Sequence, residues 1–151
     1  MGTWRNFWRL HWRDRRAVLE AAVLMVSTHA ILPLSGYRRW KSLLTKLSSR
    51  PPIEVNATRS AVIDDLARAT ASAARHLFFQ PTCLESSIAL WWLLRRRSFD
   101  AVLQIGGRKE REQFEAHAWV ECNETAIGST ADGHSGYQAF RDHPLAARDA
   151  R

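Results

Sequence analysis

Cys83 and His117 are the residue types that nucleophilic acyl chemistry needs. A thiolate attacks carbonyl carbon readily, and an imidazole can take the thiol's proton and hand it on to a leaving group. Their flanking sequences give each a defined local setting. Thr82 stands three residues before Glu85, the spacing of a capping box, and Pro81 lies just outside it. A helix is therefore expected to begin at Cys83. There the unpaired backbone N–H groups and the positive end of the macrodipole favour negative charge on sulfur.

From Leu84 to Leu94 the chain is almost wholly apolar, with Leu84, Ile88, Trp91 and Leu94 or Arg95 at helical spacing, so this helix should run through the core. Arg95, Arg96 and Arg97 complement the dipole at its far end, and their plainest reading is a solvated terminus before a turn at Ser98-Phe99-Asp100. The stretch from Phe114 to Cys122 alternates as a strand: Phe114, Ala116, Ala118, Val120 and Cys122 share one side, and Glu115, His117, Trp119 and Glu121 the other. Cys122 thus faces away from His117 and reads as a small, semi-buried residue. Ala101 to Gly106 reads as the preceding strand of an antiparallel pair, followed by a turn at Gly106-Gly107 and a charged loop. The expected fold class is α+β, with the buried helix that starts at Cys83 packed on a small antiparallel sheet carrying His117. Papain-like and transglutaminase-like enzymes assemble a Cys-His pair in this way.

Four segments, in this order and spacing, resemble the stand-alone leader peptidases of lasso-peptide biosynthesis, a transglutaminase-like cysteine protease family. They are Thr82 to Leu90, the Leu93-Leu94-Arg95-Arg96-Arg97 run, Ala101 to Gly106 and, above all, Ala116-His117-Ala118-Trp119-Val120-Glu121. The likeness covers residues 59–140. It implies that Cys83 attacks the peptide bond between leader and core of a ribosomally made precursor, forming a thioester acyl-enzyme, while His117 serves as base and then acid. It also implies an aspartate to orient the imidazole, yet the position where the family carries it is Ser129 here. Asp132 is the favoured substitute, Ser129 is the alternative through a neutral hydrogen bond, and Asp132-Gly133 also reads as an ordinary turn. The family's glycine after the arginine run is Ser98 in this chain. The resemblance further implies three partners: the precursor peptide, a separate leader-recognition protein and a cyclase. No region of this chain looks like the recognition domain.

With 46% hydrophobic residues, a chain of 151 residues suffices for one core and is too short for two ordinary domains. The expected division is an N-terminal basic and amphipathic helical region over 1–50, a linker over 51–58 marked by Pro51-Pro52, a catalytic domain over 59–142 and a tail over 143–151. Two cysteines on separate elements make no disulfide framework, which points to a reducing, cytoplasmic compartment. The histidines lack metal-ligand spacing, so neither a metal nor any other cofactor is expected.

Trp4, Trp8 and Trp12 recur at four-residue spacing among Arg5, Arg9, Arg13, Arg15 and Arg16, an aromatic stripe on a basic helix. It could rest on an anionic membrane surface at the inner face of the membrane, dock a partner or leader, or pack on the catalytic domain. Ala17 to Leu34 is apolar, but Glu20 and His29 interrupt it and Pro33 ends it, so it reads as a soluble amphipathic helix over 14–32 whose core face is Leu19, Val23, Val26 and Ala30. Tyr37 to Arg50 carries a second basic helix, and a third is expected from Thr58 or Arg59 to His76 with Val62, Ile63, Leu66, Ala69 and Ala73 inward. Gln80 is a candidate oxyanion-hole contact, or a plain loop residue. The net charge of +7 favours acidic peptides, a partner protein or anionic lipid. Nucleic acid is disfavoured, because no binding motif is present and the basic residues are spread over several helices. Against the peptidase stand two other readings: a non-catalytic peptide-binding or membrane-associated module on the same fold, and a related Cys-His acyltransferase.

Overall fold

The computed structural model describes residues 12–48, 57–110, 113–128 and 136–140. The stripe residues Trp4 and Trp8, positions 51–56 of the expected linker and the tail fall outside these ranges, as do Ser129 and Asp132, whereas the last two linker positions, Ala57 and Thr58, already belong to a helix. Among the described residues, four helices, α1 (Trp12–Ser35), α2 (Tyr37–Ser48), α3 (Ala57–His76) and α4 (Cys83–Arg96), precede four strands, β1 (Ala101–Glu110), β2 (Gln113–Cys122), β3 (Thr125–Ile127) and β4 (Gln138–Ala139). The sheet order is β3-β2-β1-β4 with every neighbouring pair antiparallel. The chain is thus α+β, as its sequence implies.

Helix α4 is the centre of the packing. Every residue from Ser87 to Leu94 is buried, Leu93 and Leu94 completely so, because α1 and α3 cover one part of its surface and the sheet covers another. One apolar cluster joins Met25 of α1, Leu44 of α2, Leu66 of α3, Ile88 of α4, Leu103 of β1 and Val120 of β2. Helices from the N-terminal third therefore share the core with the sheet. Between α1 and α2, the Trp40 indole N–H donates to Thr28 Oγ1 at 3.0 Å, which satisfies two polar groups that would otherwise be stranded in that core.

The inward face of α1 is not the one its periodicity suggests. Leu19, Val23, Val26 and Ala30 are exposed, while Ala17, Val18, Ala21, Leu24, Met25 and Thr28 are buried. Apolar residues recur at helical spacing on both sides of this helix, so spacing alone could not choose between them. Packing prefers the side with Ala17, Ala21 and Thr28, whose small side chains permit close approach and whose threonine meets Trp40. The helix also runs on through Pro33 to Ser35; a proline this near the end removes little of the hydrogen-bond ladder.

Gly106 and Gly107 lie inside β1 and do not form a turn, since β1 continues to Glu110. The reason is crowding. A Cβ on Gly106 would come within 2.5 Å of the Gln138 carbonyl oxygen and 2.8 Å of the Trp119 ring, and one on Gly107 would strike Phe114. The glycines admit β4 and two aromatic rings to the strand rather than bending it.

At the far end of α4, Ser98 N–H donates to Arg95 O and Phe99 N–H to Leu94 O, the two bonds of a Schellman motif. Ser98 fills the left-handed position with φ 62, where glycine is ordinarily found. A seryl side chain there costs conformational energy that glycine avoids. Ser98→Gly is expected to stabilise the protein by about 0.5–1 kcal/mol, the left-handed penalty less glycine's greater unfolded entropy. A urea denaturation midpoint equal to or below that of the parent chain would refute this.

Candidate active site

Cys83 is the first residue of α4, and the capping box that sets this start is complete. Thr82 Oγ1 accepts from Glu85 N–H at 3.3 Å, and Thr82 N–H donates to Glu85 Oε2 at 2.7 Å. Glu85 is only 4% exposed, so its carboxylate needs further partners. The other oxygen, Oε1, lies 2.9 Å from His29 Nδ1 on α1, and the His29 ring stacks on Phe79 at 4.3 Å between centroids. One buried carboxylate thereby ties the first turn of α4 to α1, and His29 ties the preceding loop to the same point.

Four residues beyond Cys83, on the same side of α4, Ser87 Oγ donates to the Ala118 carbonyl at 2.9 Å. Ala118 follows His117 on β2. This buried bond holds the cysteine's end of the helix alongside the histidine's part of the strand.

His117 is half-buried and sits opposite Gly106 in the β1–β2 register. It shares a sheet face with Trp119, whose ring lies nearly parallel at 6.3 Å, and with Tyr137, whose ring is 5.2 Å away and tilted by 39°. Trp119 is itself fixed by its indole N–H to Glu121 Oε1, and Gln104 Nε2 holds the other oxygen of that carboxylate. On the far side, Tyr137 O–H donates to Glu115 Oε2 at 2.9 Å, Arg108 binds the same carboxylate, and the Arg108 guanidinium lies over the Tyr137 ring at 4.7 Å.

Electrostatics follow from these contacts. The Tyr137 and Arg108 hydrogen bonds, with the arginine charge, hold the Glu115 carboxyl below its ordinary range. Partial burial and the bond to Glu115 raise the Tyr137 phenol, and negative charge at Cys83 adds to the rise. Tyr137 lies within electrostatic reach of Cys83, and its ring centroid is 5.2 Å from that of His117. Among the described residues no hydrogen bond joins the thiol to the imidazole, and His117 Nε2 is buried with no partner.

Cys122 is different in kind. It is 4% exposed on the opposite face of β2, and burial pushes its thiol pKa up, Asp100 adding to the effect and Arg59 opposing it. Gln80 is exposed in the loop before Thr82. Among the described residues no three His, Cys, Asp or Glu side chains converge as a metal site. Sequence reasoning passed over His29, Ser87 and Tyr137. Their partners lie 56, 31 and 22 residues away along the chain, and no local spacing signals them.

The profile of the transglutaminase-like superfamily matches residues 22–142, well over half of the chain, and the protein belongs to that superfamily. Membership supports chemistry of the cysteine-protease or acyltransferase type. No curated protein and no solved structure matches the chain.

The two thiols should differ in reactivity. Iodoacetamide near neutral pH is expected to modify half-buried Cys83 at least about tenfold faster than Cys122, read by peptide mass spectrometry, with the difference vanishing in denaturant. Faster labelling of Cys122 in the native protein would contradict the assignment.

Proposed function

We propose that this chain is a cysteine peptidase that removes the leader from a ribosomally synthesised lasso-peptide precursor. The observation that carries the reading is the Ser87–Ala118 hydrogen bond, which joins the helix beginning at Cys83 to the strand segment containing His117. Superfamily membership and the Ala116-to-Glu121 block support it.

In the proposed reaction His117 takes the Cys83 proton as Sγ adds to the scissile carbonyl. The tetrahedral adduct collapses when the same imidazole returns that proton to the departing amine, leaving a thioester on Cys83. Water, deprotonated by His117, then adds to the thioester, and the thiol leaves with a proton. The orienting group in this reading is Asp132, or Ser129 in its stead, and the atom it would reach is the buried Nε2 of His117, leaving Nδ1 for the thiol. A separate leader-recognition protein delivers the precursor, a cyclase consumes the freed core, and the setting is cytoplasmic.

A second reading is a non-catalytic peptide-binding module on the same fold. It is favoured by the absence of a thiol–imidazole hydrogen bond among the described residues. A Cys-His acyltransferase would share the thioester and differ in the acceptor.

Cys83→Ala and His117→Ala are each expected to reduce precursor cleavage to background, at least about a thousandfold, with the melting temperature retained. Mass spectrometry of the precursor incubated with the protein and its recognition partner reads the result. Cleavage undiminished in either folded variant would refute the peptidase reading, and thioester capture by an added amine in place of water would favour acyl transfer.

A further inference from the structure

The outward side of α1 carries an unbroken apolar stripe that the core does not use. Leu19 is 56% exposed, Val23 63%, Val26 38% and Leu34 87%, with exposed Ala30 between the last two. At 1.5 Å per residue the stripe runs for about 22 Å. At its N-terminal end Leu19 and Val23 join Leu24 and Trp92 as the apolar floor of a groove of about 510 Å³, rimmed by Arg15, Arg16 and Arg96. The groove's acidic residue, Glu20, is already engaged: Arg16 and Arg97 bind it at 2.9 and 3.1 Å. Burial would raise the Glu20 carboxyl, but these two arginines outweigh it and keep the group ionised. The rim is therefore net positive.

We propose that this face of α1 docks the protein onto an anionic lipid bilayer, with the helix lying in the interface plane. This goes beyond the peptidase reading and stands or falls apart from it. An interfacial helix buries an apolar side at the boundary between headgroups and acyl chains while cations beside it meet phosphate, and the stripe and its arginine rim have that arrangement. By length and composition α1 could also cross a membrane. Its inner side forbids that, because Ala21, Met25 and Thr28 are wholly buried in the protein core and cannot be given to lipid.

Charge decides against a second copy of the chain as the occupant. Two-fold pairing through this face would press together two chains of net charge +7 along a stripe bordered by Arg15, Arg16 and Arg96, and like-charge repulsion opposes it. An anionic surface reverses the sign of that interaction. The sequence immediately before α1 adds Trp4 and Trp8 with Arg5 and Arg9, residue types that favour the headgroup region.

The test is co-sedimentation of the full chain with vesicles of phosphatidylcholine alone or mixed equally with phosphatidylglycerol. The parent chain should partition onto the mixed vesicles, bind the neutral ones weakly and lose affinity as salt rises. The double variant Val23→Asp with Leu34→Asp places charges at two exposed helical positions, so its melting temperature should be retained. Its partition coefficient should fall at least about tenfold, through lost apolar burial together with the repulsion of the two carboxylates by the anionic surface. Equal partition of parent and double variant would overturn the proposal by making binding a matter of charge elsewhere. No preference for the anionic vesicles would overturn it too. A dimer seen by light scattering, dissolved by the double variant and unaccompanied by vesicle binding, would assign the face to a second copy instead.

Discussion

The Glu85 carboxylate is the constraint on which the candidate site depends. It is buried, and burial of a carboxylate is costly unless each oxygen is bonded. Thr82 N–H satisfies one oxygen and His29 the other. The first contact fixes where α4 begins and so makes Cys83 its first helical residue. The second fixes where that beginning lies relative to α1. A residue two positions from the candidate nucleophile thus sets both its local conformation and its place in the fold.

Ser87 completes the placement from the sheet side. Its hydroxyl reaches the Ala118 carbonyl, at a part of β2 that β3 does not extend far enough to pair. A strand acceptor that would otherwise stay unpaired becomes the attachment point for the helix, and His117 is the residue just before it. Backbone satisfaction and site assembly are served by one bond.

Much of this was legible in the sequence, for reasons that can be named. The capping box is a local pattern whose geometry is nearly determined by its residue types, and it formed as read. The alternation from Phe114 to Cys122 fixed which side chains share a face, because a two-residue period admits only two phases. Interactions that depend on distant packing were harder to read. Gly106-Gly107 signalled a turn when considered with its sequence neighbours alone, and the need for glycine came from Trp119, Phe114 and Gln138. The two apolar sides of α1 were indistinguishable until Thr28 and Trp40 were seen to pair. Ser98, where the resembling family carries glycine, gave no hint that it would take a left-handed backbone. Asp132 and Ser129 lie outside the described residues, so the third member of the site rests on sequence alone.

The Tyr137 ring has a stereochemical consequence. Held by Glu115 and Arg108, it flanks the His117 imidazole, while Trp119 lines the neighbouring stretch of the same sheet face. In the proposed reaction, an extended chain brought to His117 would meet a phenol beside the imidazole and an indole on the same sheet face. In that reading the phenol would set which face of a planar carbonyl is presented to sulfur, and a backbone threaded in the reverse direction would offer the opposite face.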